Sequence, residues 1–333
     1  MQKIIAVIVS HNRQALLVEC IEALRNQTQK PDAILVVNNG SSDYTTVWLD
    51  KQSDIIQLYQ DNLGSAGGYN TGISWAYQNG YTWIWCMDDD GHPKNDALEI
   101  LMNNRGFGIE LLNCSVINKT DRKTFVSKTK KYKCIDEVKE KVIEGVGHPF
   151  NGTMIHRSII EKVGLPQSNL FYWGEEREYF YRIVNQYKIP AKTITHSIQY
   201  HPELSHAHKK EWDYKTSWKM YFYVRNRYKV MQSKYSNKFL ATIHYAYFTL
   251  AFIKSIFIFQ QKDKIRKVFF TFWPVIDSLK NNFSDTPETI QDRMNKQYKK
   301  PISSFVFYPF KKAIVSMFVP RYTEGSGTTA VEL

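Results

Sequence analysis

Cysteine is scarce in this chain of 333 residues, which contains only four. Cys20, Cys86, Cys114 and Cys134 form no CxxC pair, and no HExxH motif occurs, so a zinc site is disfavoured. Plain thiols in a reducing compartment fit this pattern best. A signal peptide is also missing, because Lys3 leads at once into a short strand-like run, and we expect no leader sequence.

Two frequent nucleotide-binding motifs are absent as well. No GxGxxG follows the first predicted strand, and no GxxxxGK[ST] motif occurs in the chain. The missing GxGxxG disfavours a dinucleotide-binding fold. Hydrophobic residues nevertheless make up 43% of the chain and aromatic residues 14%, enough for a substantial core. A chain of this length forms one large domain or two of medium size.

Acidic residues are fewer than basic residues, and the formal net charge is +12. Residues 1–205 carry 22 Lys and Arg against 23 Asp and Glu, whereas residues 206–333 carry 22 against 9. The positive excess therefore belongs to the C-terminal part of the chain. This distribution predicts two functional zones, with an anionic partner for the second.

The first hundred residues alternate between strand-like and helix-like segments. Apolar runs predict strands, and apolar residues at helical spacing predict the helices between them. A glycine-rich stretch at 61–68 is predicted to be a loop. The predicted strands cover residues 4–9, 33–37, 55–59 and 81–87, and the predicted helices cover residues 15–26, 45–51, 69–79 and 95–103. This order predicts an α/β fold, with a mostly parallel sheet covered by helices on both faces.

Asp88, Asp89 and Asp90 follow the fourth predicted strand directly. Three adjacent carboxylates repel one another, and a folded protein tolerates them where a divalent cation or dense hydrogen bonding neutralises them. Open α/β sheets bind ligands at the carboxyl ends of their strands, where this triplet is expected. Gly91 and Pro93 come next, so we expect a sharp turn that faces a cleft. A solvated acidic turn is the alternative interpretation.

Polar residues also stand at the ends of the other three predicted strands. They are Ser-His-Asn-Arg at 10–13, Asn-Asn-Gly-Ser-Ser-Asp at 38–43 and Asn-Leu-Gly-Ser-Ala-Gly-Gly at 62–68. Amides, carboxylates and glycines that permit close backbone approach therefore meet at one edge of the sheet. This combination suits a nucleoside diphosphate that is held through a metal ion.

Six segments in this order resemble family 2 glycosyltransferases of the GT-A fold. They are residues 7–13 (VIVSHNR), 36–43 (VVNNGSSD), 62–70 (NLGSAGGYN), 87–90 (MDDD), 150–153 (FNGT) and 172–182 (YWGEEREYFYR). The resemblance covers roughly residues 1–205 and is closest to bacterial galactofuranosyltransferases and rhamnosyltransferases. It implies a GT-A domain at 1–205, with a nucleotide-sugar half at 1–105 and an acceptor half at 106–205.

The resemblance implies a metal-dependent donor site. Asp88 and Asp90 would belong to a DxD element that holds the nucleotide-sugar through Mn²⁺ or Mg²⁺, while Asp89 would orient the turn or touch the donor sugar. His201 would complete the metal site, with His196 as the alternative. Many relatives have Asp in place of Asn38, which leaves the nucleobase open. The other nucleotide-sugar-binding positions implied in this way are His11, Asn12, Arg13, Asn38, Asn62, Gly67, Gly68, Asn70 and Gly152.

The same resemblance places the acidic pair Glu175 and Glu176 at the start of the acceptor-site helix. Glu176 takes the position of the general base, which deprotonates the acceptor hydroxyl as it attacks the anomeric carbon with inversion. Most relatives have Asp there, so the reach of the base differs. Acids stabilised by the helix dipole are the alternative. Trp173 is expected to stack on the acceptor sugar, with a place in the core as the alternative.

The donor implied by the resemblance is UDP-galactofuranose, with dTDP-rhamnose as the alternative. The acceptor would be a lipid-linked oligosaccharide of O-antigen, capsule or related envelope polysaccharide synthesis, at the cytoplasmic face of the bacterial inner membrane. A nucleotidyltransferase that uses the same acids is a further alternative, and it would release pyrophosphate.

Three basic, aromatic segments after residue 205 predict a membrane-associating helical region at 206–321, followed by a disordered tail at 322–333. These segments are 239–259, 265–279 and 305–319. Phe and Trp interleaved with Lys and Arg suit an anionic membrane surface, and segment 239–259 is just long enough to span a bilayer. An ordinary helical core and a spanning helix are the alternatives. Nucleic acid is not expected as a partner, because no RNA- or DNA-binding signature accompanies the charge.

Overall fold

The computed structural model describes residues 2–106, 108–129, 132–203 and 207–300. The predicted helix at 305–319 and the predicted tail at 322–333 lie outside these ranges. The strands are β1 Ile4–Ser10, β2 Ala33–Asn39, β3 Ile55–Gln60, β4 Trp83–Asp88, β5 His92–Pro93, β6 Leu111–Asn118, β7 Thr124–Thr129, β8 Tyr132–Cys134, β9 Val142–Glu144, β10 Asn151–His156 and β11 Ala191–His201. The helices are α1 Gln14–Arg25, α2 Thr45–Leu49, α3 Gly64–Gln78, α4 Ala97–Asn103, α5 Arg157–Val163, α6 Glu175–Tyr181, α7 Lys219–Arg225, α8 Arg227–Lys234, α9 Lys238–Phe259, α10 Lys264–Leu279 and α11 Pro287–Tyr298.

A large sheet with the strand order β3-β2-β1-β4-β10-β6-β11-β5 forms the centre of the N-terminal part. The first four strands in this order are parallel to one another. Strand β10 is antiparallel to both of its neighbours, and β6 and β11 are parallel. The predicted α/β class with parallel core strands is therefore confirmed. The carboxyl ends of β1, β2 and β4 lie along one edge, as expected for the polar segments that follow them.

Both faces of β1 are buried, as in a sheet covered on two sides. Ala6 and Ile8 pack into one core together with residues of α1 and α4. Val7 and Val9 point to the opposite face, where α3, α5 and α6 supply the covering side chains. Alternation along a single strand thus builds two cores and holds the strand end rigidly between them.

Helix α3 begins at Gly64, so the prediction of a loop throughout 61–68 is wrong. Glycine is a poor helix former, which is why the stretch reads as a loop. Packing overrides that preference here, because a Cβ on Gly68 would lie 2.4 Å from Val9 Cγ1. A Cβ on Gly72 would likewise lie 2.6 Å from Val7 Cγ1. The glycines allow α3 to lie directly on the sheet.

The helix that begins with the acidic pair is divided into two parts. The α-helical part, α6, ends at Tyr181, and a π-helical turn follows from Arg182 to Gln186. Arg182 Nε pairs with Glu178 Oε1 at 3.0 Å, a local ion pair between residues at i, i+4 spacing.

The described C-terminal part is helical, from α7 to α11, as predicted. An aromatic core joins these helices and includes Tyr214, Phe222, Phe252 and Phe270. Helix α8 also packs on α6, where the Ser233 hydroxyl donates a hydrogen bond of 2.8 Å to Glu178 Oε1. The helical part is therefore attached to the sheet domain next to the acidic pair that begins α6.

Among the described residues, α9 is the helix that is long and apolar enough to cross a membrane, with 22 residues and a mean hydropathy of 1.4. Only 22% of its most apolar window is buried against the rest of the chain. Its large exposed side chains include Phe239, Tyr247, Leu250, Phe257 and Ile258, and we call this set the apolar face. Large apolar side chains exposed side by side indicate an interaction site.

Candidate active site

The Asp88–Asp90 turn stands at the carboxyl end of β4, beside the end of its parallel neighbour β1. Ser10, the last residue of β1, donates a hydrogen bond from its hydroxyl to Asp89 Oδ2 at 2.8 Å. From the other face of the sheet, the Tyr69 hydroxyl donates to Asp88 Oδ1 at 2.7 Å. Side chains from β1 and α3 therefore hold the turn in place without help from a ligand.

Arg13 neutralises part of the carboxylate cluster. Its Nη1 donates to Asp89 Oδ1 at 3.1 Å and to Asp90 Oδ2 at 2.9 Å. Burial acts to lower the pKa of Arg13, but the two carboxylates outweigh burial and raise it. Asp89 is only 4% exposed, and Ser10 and Arg13 engage both of its oxygens. Two roles were expected for Asp89, to orient the turn or to touch the donor sugar. These contacts favour the first role.

His201, the last residue of β11, faces the same turn. Its Nε2 lies 3.1 Å from Asp90 Oδ1 and 3.9 Å from Asp88 Oδ2. Its Nδ1 lies 2.7 Å from the carbonyl oxygen of Pro202, and since a carbonyl only accepts, Nδ1 is the donor in this contact. In the neutral imidazole, the lone pair is therefore on Nε2 and points at the carboxylates. Two acceptors at this separation require a proton or a cation between them.

The electrostatics of the turn are those of a site that attracts positive charge. Burial, followed by the charge of Asp90, raises the pKa of Asp88 to about 6. Burial also raises the pKa of Asp89 to about 6, although Arg13 opposes this effect. Asp90 differs, because the contacts with His201 and Arg13 outweigh burial and lower its pKa. Burial acts to lower the pKa of His201, but the two acids outweigh it and raise this pKa.

Asp88, Asp90 and His201 fit a divalent cation. One ligand atom from each lies within 4.8 Å of the others, and all three residues are at least partly buried. Two carboxylate oxygens and one imidazole nitrogen are a donor set that Mn²⁺ or Mg²⁺ accepts. The structure brings His201 into this cluster, whereas the alternative, His196, is exposed on β11 and outside it.

Asn12 and Asn38 shape the turn after β2. Asn12 has a φ of 55°, and its side-chain oxygen accepts hydrogen bonds from the backbone of Ser42 at 2.7 Å and Asp43 at 3.2 Å. Asn38 is buried, and its oxygen accepts from the Ser41 backbone at 3.1 Å. Both amides therefore support the loop at this edge, and Asn38 presents little free surface to a nucleobase.

His11 and Asn62 lie together at the same edge of the sheet. His11 Nδ1 donates to the Asn39 carbonyl at 2.9 Å, and its Nε2 lies 3.4 Å from Asn62 Nδ2. Asn62 Oδ1 also accepts from the Gly64 backbone at 3.0 Å, at the start of α3. His11 Nε2 also lies 3.3 Å from Asn12 Nδ2, so both ring nitrogens have partners within this edge, and Asn62 beside the ring is exposed.

Three predicted positions on α3 are used in packing instead. Gly67 and Gly68 are buried beneath the sheet edge, and a Cβ on Gly67 would lie 2.4 Å from Leu63 Cβ. Asn70 donates from Nδ2 to the Pro166 carbonyl at 2.8 Å. These contacts give the three residues a role in packing, and their part in binding the nucleotide-sugar stays a prediction.

Gly152 lies on β10, next to β4, in a position that needs a glycine. Its φ is 77°, and a Cβ would lie 2.9 Å from the sulfur of Cys114. Phe150, two residues earlier, stacks on Tyr69 with ring centroids 3.9 Å apart. Gly152 thus has a backbone role next to β4, and its part in binding the nucleotide-sugar stays a prediction.

The acidic pair at the start of α6 faces the cleft from the acceptor side. Glu175 is 1% exposed and accepts a hydrogen bond from the Ser65 hydroxyl, while its Oε2 is buried with no hydrogen-bond partner. Burial, and then the charge of Glu176, raises the pKa of Glu175 well above its ordinary value. Burial raises the pKa of Glu176 as well, with Arg177 opposing it. Burial and mutual repulsion therefore disfavour a second negative charge on the pair, and Glu176 is the more accessible of the two carboxyl groups.

Trp173 belongs to an aromatic group at the mouth of the cleft. Its ring stacks on Tyr172 with centroids 5.0 Å apart and meets the edge of Tyr223 at 5.9 Å. The side chain is half-buried, so one part packs against α7 and another part faces solvent. This position suits both predicted roles of Trp173, stacking on the acceptor sugar and packing in the core.

Several contacts of the site are not predictable from the sequence, although some of the residues lie in the segments quoted above. Ser65 contacts a residue 110 positions away, and Tyr69 and Ser10 bind the acidic turn from separate elements. Asn226 contacts the loop before the acidic pair from the helical part. Spacing along the chain carries no trace of such contacts, because they depend on how the elements pack.

Comparison with known proteins is consistent with this geometry. Residues 5–164 match the family model described as glycosyl transferase family 2. The galactofuranosyltransferase GlfT1 of Mycobacterium tuberculosis is 27% identical over 215 residues, which cover 60% of this chain and 70% of that protein. The GalNAc(5)-diNAcBac-PP-undecaprenol beta-1,3-glucosyltransferase of Campylobacter jejuni is 31% identical over 124 residues, 35% of this chain and 39% of that protein.

A solved structure shares the architecture over most of its length. The crystal structure of S. aureus TarS 1–349 in complex with UDP has a TM-score of 0.51 and 12% sequence identity. The match covers 89% of this chain and 92% of that chain. At this identity the similarity concerns the fold alone, and it confirms the GT-A class expected from the sequence.

Proposed function

We propose that this transferase moves a sugar from a UDP-sugar to a lipid-linked acceptor with inversion, and the match of residues 5–164 to the glycosyl transferase family 2 model supports this proposal. The observation that carries this proposal is the pairing of two acidic groups across one cleft. Asp88, Asp90 and His201 form the cation-binding side, and Glu175 and Glu176 form the acceptor side. The two sides are close enough that the charge of Glu176 raises the pKa of Asp88.

The donor diphosphate belongs on the side of the acidic turn. Asp88, Asp90 and His201 would hold Mn²⁺ or Mg²⁺. A cation bound there would stabilise the negative charge of the leaving diphosphate. Arg13 adds a fixed positive charge beside these ligands. The nucleoside would bind at the exposed surface beside His11 and Asn62.

Proton transfer belongs on the other side of the cleft. Glu176 takes the proton from the acceptor hydroxyl as this oxygen attacks the anomeric carbon from the face opposite the diphosphate. The neighbouring Glu175 stays protonated, which keeps one negative charge on the pair instead of two. Burial raises the pKa of Glu176 and so makes it a stronger base than an exposed glutamate.

The donor sugar that we propose is galactofuranose. Support comes from GlfT1, whose name specifies a galactofuranosyltransferase and which aligns with 60% of this chain. The competing donor, dTDP-rhamnose, differs in both sugar and base. Asn38 does not separate the two, since its amide is engaged by the Ser41 backbone and by Thr46.

A lipid-linked acceptor is supported by the helical part. The apolar face of α9 exposes Tyr247 by 72% and Leu250 by 67%, and Lys238 and Lys254 lie on the same helix. A helix that combines exposed aromatic and aliphatic side chains with lysines suits the interface of an anionic membrane. We propose that α9 lies on the inner leaflet, which places the cleft beside lipid-bound sugars.

A donor screen tests the proposal directly. The full chain is heated with UDP-galactofuranose, dTDP-rhamnose or UDP-glucose, each with Mn²⁺ or with EDTA. We expect UDP-galactofuranose with Mn²⁺ to give the largest increase in Tm, and transfer to a lipid-linked glycan to release UDP. Release of pyrophosphate from a nucleoside triphosphate would instead identify a nucleotidyltransferase and overturn the proposal.

A further inference from the structure

The loop before the acidic pair, residues 170–174, has an unusual backbone, and we call it the acceptor loop. Phe171 and Trp173 have φ values of 63° and 58°, and Gly174 has a φ of 115°. Large side chains rarely adopt this left-handed region, because the Cβ atom crowds the backbone. Contacts from outside the loop must therefore hold this conformation.

Asn226, at the junction of α7 and α8, supplies these contacts. It is fully buried, and its Nδ2 lies 2.8 Å from the Leu170 carbonyl, 3.0 Å from that of Tyr172 and 2.8 Å from that of Trp173. Gly174 packs on the same side chain, since a Cβ there would lie 3.2 Å from Asn226 Cβ. One amide group from the helical part thus gathers three carbonyl oxygens of the acceptor loop.

Arg225 fixes the orientation of this amide. Its Nε donates to Asn226 Oδ1 at 3.0 Å, so the donor end of the amide must point toward the loop. Its Nη2 donates to the Leu170 carbonyl at 3.0 Å. The guanidinium is fully buried and stands 4.6 Å from the ring centroid of Phe222. Burial of this kind is costly for a charge and requires the contacts described.

The backbone of the two residues before Asn226 is tied to α9 and α10. The Tyr245 hydroxyl of α9 donates to the Val224 carbonyl at 3.1 Å. The Ser278 hydroxyl of α10 donates to the Arg225 carbonyl at 2.7 Å. A continuous series of buried contacts therefore runs from the helix with the apolar face to the residue that precedes Glu175.

We propose that Asn226 is a positioning residue for the reaction: it holds the acceptor loop so that Trp173 and the acidic pair face the donor site. The helical part then belongs to the catalytic unit and is more than an anchor. This inference rests on the proposed function for its consequence in catalysis. The contact itself is tested independently by the exchange rates of backbone amides.

The test compares Asn226→Ser and Asn226→Asp with Asn185→Asp in the full chain. Serine keeps one donor and leaves space, whereas aspartate replaces the donor with a charge that repels the loop carbonyls. Asn185 is the matched control, because its Nδ2 donates at 2.8 Å to the Lys234 carbonyl and does not touch the acceptor loop. The measurements are hydrogen exchange by mass spectrometry, Mn²⁺-dependent UDP affinity, and kcat and KM for transfer.

We expect amides of the acceptor loop and of the first turn of α6 to exchange at least tenfold faster in both Asn226 variants. The turn at Asp88–Asp90 should exchange as in the wild type, and UDP affinity should stay within threefold. The kcat for transfer should fall at least tenfold in Asn226→Ser, and Asn185→Asp should keep wild-type kcat.

Unchanged exchange in the acceptor loop of Asn226→Ser would overturn the inference, and so would equal loss of kcat in Asn185→Asp. Loss of UDP affinity together with kcat would mean that the substitution damages the whole fold, which also contradicts a positioning role. A wild-type chain that transfers no sugar would refute the proposed function alone, and the exchange rates would still decide whether Asn226 holds the loop.

Discussion

His201 faces Asp90 at the acidic turn, with 3.1 Å between His201 Nε2 and Asp90 Oδ1. The two residues come from β11 and from the loop after β4, and neither moves freely. His201 Nδ1 is held by the Pro202 carbonyl, and Arg13 holds the second oxygen of Asp90. Both ligand atoms are therefore directed at one point before a cation binds, which reduces the entropy lost on binding.

Asp90→Asn is expected to weaken Mn²⁺-dependent binding of UDP at least about tenfold, because the amide is a poorer cation ligand than the carboxylate. Isothermal calorimetry with and without Mn²⁺ measures the effect. Asp292→Asn makes the same change in net charge on an exposed face of α11 and should leave affinity unchanged. Wild-type affinity in Asp90→Asn would remove this residue from the metal site.

Glu176→Gln is expected to lower kcat about 10²- to 10⁴-fold, the range that a general base contributes, while UDP affinity stays as in the wild type. Steady-state transfer assays and calorimetry provide the two numbers. Glu161→Gln, on the exposed side of α5, serves as the control and should keep full activity. Turnover near the wild-type rate in Glu176→Gln would mean that another group takes the proton.

Glu175→Gln should stabilise the apo protein increasingly as the pH rises. Below the ordinary pKa of about 4.5, Glu175 holds its proton in both the folded and the unfolded state. Above that value the unfolded chain loses the proton first, so wild-type stability falls as the pH rises through the raised pKa. Glutamine does not titrate and escapes this loss. Tm measured in EDTA should therefore diverge from pH 5 to pH 8, and parallel curves would show that Glu175 is not buried as a neutral acid.

Tyr247→Ser combined with Leu250→Ser should reduce binding to anionic liposomes at least about tenfold, since each apolar side chain contributes about 1.5–3 kcal/mol when fully buried. The two residues are exposed in the folded chain, so Tm should change little. Tyr44→Ser is the control, because Tyr44 is 78% exposed but lies on the sheet domain. Cosedimentation with vesicles at matched salt measures the binding. If the double variant binds as well as Tyr44→Ser, the apolar face is not the membrane contact.

Gly68→Ala should lower the free energy of unfolding by about 1–3 kcal/mol, as expected for overpacking against a sheet. The reason is the 2.4 Å separation between the added Cβ and Val9 Cγ1. Helix propensity favours alanine by about 1 kcal/mol, so a net gain in urea denaturation would show that Val9 moves aside. Ser74→Ala, a less buried position on α3, should change the free energy by less than about 0.5 kcal/mol.

The sheet and the acidic turn were predictable because each has a local cause in the sequence. Apolar runs such as residues 4–9 form buried strands wherever they occur in an α/β pattern, and strand ends meet at one edge. The turn at Asp88–Asp90 follows from such an end, and His201 from the resemblance to family 2 enzymes. The start of α3 was missed because glycine-rich sequence reads as a loop unless the packing of the helix on the sheet is known.

The roles of individual polar residues were less predictable for a different reason. Asn70 looks like a ligand residue in sequence, yet its amide binds the Pro166 carbonyl. Asn226 has no motif around it, yet it binds three carbonyls of the acceptor loop. A side chain's partner depends on distances between elements far apart in the chain, which periodicity does not encode.

Helix α3 contacts both sides of the cleft through residues one turn apart. Ser65 binds Glu175, and Tyr69 binds Asp88, so the two contacts are separated by a rise of about 6 Å along one axis. A helix behaves as a stiff rod over this length. The spacing between Glu175 and Asp88 is therefore a fixed dimension of the scaffold, and the surface loops around the cleft can lengthen without changing it.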